Sequence, residues 1–211
     1  GLIMYAIREI ERHEADGLAP IEQPSDQVTQ AIEGARDRVV GRFAGQGADR
    51  TAPSWMHGYA AARVLRDRSA ALALCASMPT PFPGEGHRYD HYRADIARAL
   101  CAWELGNDWS AHLGAASRSV LTATVSASFA TAVGWPILDM LVAIHRRRPG
   151  AFNEALYAAL TGHREGVSEH PRPPSIGVIA LVPLGLCCLA SDLGIPIEVD
   201  SPYIPAWLVE G

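Results

Sequence analysis

The sequence predicts an all-α protein, built as an antiparallel helical bundle or a stacked array of helix hairpins. Three observations carry that prediction. Apolar residues recur at i, i+3, i+4 and i+7 through most of the chain, the spacing of one buried helical face. Short clusters of Pro, Gly, Ser and Asp punctuate these runs, so successive helices become antiparallel neighbours. Alternation of period two is confined to one weak stretch, residues 195–199, which leaves room for at most a short C-terminal strand pair.

Taken in order, residues 1–14 read as an amphipathic helix, and the missing initiator Met suggests a trimmed start. Val28, Ala31, Ile32, Ala35, Val39 and Phe43 form the next apolar face, started by Pro24, Ser25 and Asp26 and stopped by Gly45 and Gly47. Trp55, Tyr59, Ala62 and Leu65 define a second face from Pro53 onward; alanine-rich residues 69–76 either continue it or stand as a separate helix. Residues 79–86 (PTPFPGEG) read as a linker between two helical halves of a single domain spanning 1–211. Beyond it, Tyr89, Tyr92, Ile96, Ala99, Leu100 and Trp103 make an apolar stripe. Arg88, Asp90, Arg93, Asp95 and Arg98 fall on the opposite face, expected in solvent. Gly106 ends that helix.

Residues 118–133 are ambiguous by composition and are taken as helix from their flanks. Pro136 suits a first turn ahead of Ile137, Leu138, Leu141 and Ile144, and His145 with Arg146, Arg147 and Arg148 complements the C-terminal dipole before Pro149 and Gly150 break the helix. Phe152, Ala155, Leu156, Ala159 and Leu160 give another helix, followed by a proline-bearing polar segment at 164–174. A buried helix over 176–192 follows, with Gly194 as its cap.

Composition narrows the function classes. With 211 residues, 48% of them hydrophobic and a net charge of −5, the chain has ample core and little disorder signal. All 18 basic residues are arginine, which excludes Walker-A and Schiff-base lysines within this chain. The longest uncharged apolar run, residues 176–190, contains Pro183 and falls short of the roughly 20 residues a membrane span needs. Cys75, Cys101, Cys187 and Cys188 show no Cys-x-x-Cys spacing and read as free thiols, consistent with a reducing, cytoplasmic setting.

Catalytic signatures are sparse. His87 and His91 stand at i and i+4, where two imidazoles could share a metal, but Arg88 occupies the position of the general-base Glu in His-Glu-x-x-His. There is no Glu-x-x-His pair and no Gly-x-Ser-x-Gly elbow. The three arginines at 146–148 read as helix-end charges rather than a nucleic-acid footprint, in keeping with the acidic balance. The sharper feature is at the end. After Arg172 no basic residue occurs, while Asp192, Glu198, Asp200 and Glu210 do, with Tyr203 and Trp207 beside them. Acids flanked by aromatic anchors suit a basic protein partner; the alternative is that Tyr203 and Trp207 pin the tail to the helical core.

The stretch from Pro183 to Leu208 resembles the ending of the immunity protein 49 family of bacterial polymorphic toxin systems. The matching positions are the apolar run Leu184 to Leu189, the Gly194 turn, residues 195–199, and the close at Ser201, Tyr203 and Pro205, with Ile204 in place of the usual Leu. The recognisable part covers 130–211. The resemblance implies a cytoplasmic all-α protein that binds and neutralises a cognate toxin by steric occlusion, with no catalysis, cofactor, metal, nucleic acid or membrane involved. Many toxins of these systems are nucleases with basic clefts, for which acidic residues would compete. Charge and aromatic placement, not the resemblance, mark Asp192, Glu198, Asp200, Tyr203 and Trp207 as candidate toxin contacts. Two alternatives stay open: a small metal-dependent hydrolase using His87 and His91, and a helical-array scaffold that binds peptides.

Overall fold

The computed structural model describes residues 26–45, 50–83, 91–122, 134–169 and 179–211. Over these residues the chain forms nine helices and no strand: α1 (Asp26–Ala44), α2 (Ala52–Val64), α3 (Arg68–Ala76), α4 (His91–Glu104), α5 (Ser110–Thr122), α6 (Trp135–His145), α7 (Pro149–Glu169), α8 (Leu181–Asp192) and α9 (Ala206–Glu210). The all-α expectation holds. The expected N-terminal helix, most of the ambiguous 118–133 stretch, Arg88, Tyr89, Asp90 and His87 fall wholly or largely outside the described residues.

Helices α1 and α2, α4 and α5, and α6 and α7 pack as neighbouring pairs. At the centre α8 lies on α2 and also touches α6, α7 and α9, while α2 meets α1, α3 and α4 as well. Composition explains this placement. Helix α8 carries Leu184, Leu186, Cys187, Cys188, Leu189 and Ala190, all buried, and a helix apolar on every face has to be surrounded. Helix α2 pairs large anchors with small contacts. Trp55 stacks on Tyr59 at 5.2 Å between ring centroids, and its indole N–H donates to the Leu74 carbonyl at 2.9 Å. Gly58 and Ala60 on the same helix let α1 and α8 come close: a Cβ added at Gly58 would stand 2.3 Å from Val39, and one at Gly185 would stand 2.7 Å from the Ala60 backbone.

Helix starts follow the sequence signals. Thr51 caps α2 with Pro53 in the first turn, and Pro136 sits in the first turn of α6. Residues 69–76 form a helix of their own because Asp67 restarts the chain. Its carboxylate accepts from Ser69 Oγ at 2.6 Å, from the Ala70 N–H at 3.0 Å and from Arg36 of α1 at 2.9 Å. These hydrogen bonds, reinforced by the guanidinium, hold the Asp67 carboxyl below its ordinary range.

Several expectations are corrected. Pro149 does not simply break the preceding helix but opens α7, whose fixed φ suits a first position, and α7 continues to Glu169, well into the stretch read as polar loop. Helix α8 starts at Leu181 rather than 176, which leaves Pro183 in its first turn, where a missing N–H costs nothing. Residues 195–199 are extended but pair with no strand. Asp95 and Arg98 are not a solvated pair: both side chains are one-fifth exposed or less, and Asp95 also accepts from Ser119 Oγ of α5 at 2.8 Å.

Four helices end in one geometry, with a residue of positive φ just past the cap: Arg66 (53°), Gly106 (73°), Arg147 (53°) and Gly194 (75°). In each, the next N–H returns to a carbonyl five residues back, as in Asp67 N to Ala62 O and Ile195 N to Ala190 O. Glycine takes this conformation freely, whereas arginine there costs about 1 kcal/mol. The side chains offset the strain by reaching the C-terminal elements. Arg147 donates to the Leu193 carbonyl at 2.7 Å, and Arg66 donates to Leu208 O at 2.9 Å, to Val209 O and to Asp192.

Candidate interaction surface

After Gly194 the chain runs as an extended strap over α7. Asn153 fixes its start: the side-chain amide donates to Pro196 O at 3.0 Å and accepts from the Glu198 N–H at 2.7 Å. Further along, Tyr203 meets His163 edge-on at 5.4 Å, so strap and helix run in the same direction. Side chains on extended backbone alternate between faces. Here Ile195, Ile197, Val199 and Ser201 turn toward the protein, while Pro196, Glu198, Asp200 and Pro202 are exposed. Two carboxylates therefore share one outward face, and among the described residues neither forms an ion pair.

The other candidates from the sequence have internal partners. Asp192 closes α8, where the negative end of the helix dipole disfavours a carboxylate. Arg63 at 2.6 Å and Arg66 at 3.2 Å compensate it, leaving the side chain 36% exposed. Tyr203 and Trp207 are partly buried and pack against the core, and the buried Trp207 indole N–H has no partner among the described residues. Tyr157 is the residue that sequence reasoning missed. It is 67% exposed on α7, one turn beyond Asn153 and therefore on the side along which the strap runs. The available signal was its absence from the stripe of Phe152, Leu156 and Leu160: a large aromatic off the apolar face.

A second polar cluster is sealed inside. Glu104 of α4, with a side chain 2% exposed, accepts from Tyr59 Oη at 3.0 Å and faces Arg63 at 3.6 Å and Arg68 at 3.7 Å. Burial, and then the adjacent Glu104 charge, push the Tyr59 phenol well above its usual range, so it stays a neutral donor. Arg63 also lies over the Trp103 ring at 5.4 Å. With every member partnered inward, the cluster works as a structural joint between α2, α4 and α8. Between α6 and α7 there is an open groove of about 330 Å³ whose walls mix Asp139 and Glu154 with Arg146 and Arg148, giving no single sign of charge. His91 is exposed at the start of α4, and among the described residues no group of three or more His, Cys, Asp or Glu side chains is placed to hold a metal. Among the same residues no helix is long and apolar enough to cross a membrane.

The class these features define is an all-α helical array carrying an acidic strap on its outer face. The chain belongs to the immunity protein 49 family, whose sequence model matches residues 7–208, nearly the whole chain. The match reaches well upstream of the C-terminal ending on which the resemblance was first seen. No curated protein and no solved structure gives a significant match.

Proposed function

We propose that this chain is an immunity protein that binds a cognate toxin and silences it by covering its active or substrate-binding surface, with no chemistry of its own. Family membership supports the role. The observation that carries the mode of binding is the outward pairing of Glu198 and Asp200 on a strap anchored at Asn153 and Tyr203, with Tyr157 exposed alongside. Acidic groups held on a fixed backbone attract a basic surface at long range, and an exposed tyrosine offers a contact that loses little rotamer freedom on burial. A toxin whose cleft is basic, as a nucleic-acid-cleaving enzyme's must be, is the partner this face fits. In this reading Asp192, Tyr203 and Trp207 hold the strap in place as well as bordering it.

The test uses the toxin domain encoded beside this chain. Glu198→Arg combined with Asp200→Arg leaves stability within about 0.5 kcal/mol, since both sites are solvated. It is expected to weaken the complex about 10–100-fold, mostly through slower association, and to flatten its salt dependence. An unchanged affinity moves the interface off the strap. Absence of any complex with the unmodified chain at micromolar concentration rejects the immunity reading itself.

A further inference from the structure

Of the four cysteines, two pairs come close in space, and they differ in kind. Cys187 and Cys188 are consecutive on α8, so their side chains diverge around the helix, and both are fully buried. Burial pushes the Cys188 thiol up to about 11, and its sulfur is occupied with the Leu208 carbonyl at 3.3 Å. These two are inert core thiols. Cys75 and Cys101 lie instead on different helices, in the last turns of α3 and α4, which pack directly against each other.

Their sulfurs meet: the two thiols are hydrogen-bonded across that helix contact, with the Glu104 carboxylate nearby. Cys75 is buried at 8% exposure, whereas Cys101 is partly open to solvent. We propose that Cys75 and Cys101 are a peroxide-oxidisable thiol pair that closes to a disulfide stapling α3 to α4. The accessible member is the one reached first. The proton shared by Cys75 favours the Cys101 thiolate, and the same contact together with burial keeps Cys75 protonated.

The chemistry balances with a hydroperoxide as oxidant. Cys101 thiolate attacks the distal peroxide oxygen; the O–O bond breaks, and the alkoxide or hydroxide leaves with a proton, giving the sulfenic acid. Cys75 then attacks that sulfur as its own proton passes to the departing oxygen, the S–O bond breaks, and water leaves. Two thiols lose two electrons in all, and the peroxide gains them. Sulfurs already in hydrogen-bond contact need to close by only about 2 Å to reach bonding distance, within reach of side-chain rotation and a small helix shift.

Treating the full chain with a few equivalents of hydrogen peroxide, followed by non-reducing peptide mapping, tests this. The expected result is a Cys75–Cys101 cross-linked peptide with a mass loss of about 2 Da, reversed by dithiothreitol, with Cys187 and Cys188 unmodified. In Cys75→Ser, dimedone should trap a sulfenic acid at Cys101 and no cross-link should form. In Cys101→Ser, peroxide consumption should fall at least about tenfold. A sulfenic or sulfinic Cys101 that persists without cross-linking in the unmodified chain overturns the proposal, as does a pair that stays reduced. The mapping on the unmodified chain decides it even if a variant fails to fold.

Discussion

Glu104→Ala is expected to cost about 3–5 kcal/mol of folding stability, measured by urea unfolding, the cost typical of removing one partner from a buried charge cluster. The substitution strands the Tyr59 hydroxyl in a site where the ring is 1% exposed. It also takes a counter-charge from Arg63, whose side chain is only 11% exposed. Arg63 keeps Asp192 at 2.6 Å, which is why the loss is not larger. Order within a short series is diagnostic. Tyr59→Phe removes a single hydrogen bond and leaves Glu104 facing two arginines, so it should cost about 1–2 kcal/mol. Glu104→Gln retains an acceptor for Tyr59 and should fall between the two. A loss below about 1 kcal/mol for Glu104→Ala means that the cluster is not the joint described here.

Gly185→Ala is the second large effect, and its sign runs against local preference. Alanine inside a helix gains about 1 kcal/mol over glycine. At this position, however, the new Cβ would stand 2.7 Å from Ala60 Cα, 2.8 Å from its Cβ and 3.0 Å from its carbonyl oxygen. Backbone cannot swing aside as the tip of a side chain can, so α2 and α8 have to part. Overpacking of this kind costs about 1–3 kcal/mol beyond the propensity gain, and Gly185→Leu should prevent folding. Gly41 of α1 is the control, because nothing lies within 4 Å of its added Cβ. Gly41→Ala should stabilise by about 0.5–1 kcal/mol. Destabilisation at both sites, or at neither, contradicts the closeness of the central helix pair.

Much of this architecture was legible because helix punctuation is local chemistry. Pro53, Pro136 and Gly194 stand where a missing N–H or a positive φ is tolerated, and each marks an end as read. The two arginines in the same left-handed position were not legible, since nothing local distinguishes Arg66 or Arg147 from a solvated charge. Their reason for being there is a carbonyl 46 or more residues away. Glu104 offered a signal that the reading passed over: it continues the Ile96, Leu100 series at spacing of four, on the buried face. At the strap, the alternation of residues 195–199 was visible, but the partner was not. An unpaired extended segment lying on a helix leaves the same pattern as a strand. Asp192 shows the limit from the other side, because an acid in a basic-free tail looked solvated, yet two arginines from around α2 reach it.

The most direct measurement is a titration of the cognate toxin's activity with this chain at concentrations well above the dissociation constant. Inhibition by a folded surface falls linearly and reaches completion at one molecule of this chain per toxin, with activity returning once the complex is separated. Inactivation of many toxin molecules by one, persisting after separation, would show that this protein acts on its target by catalysis.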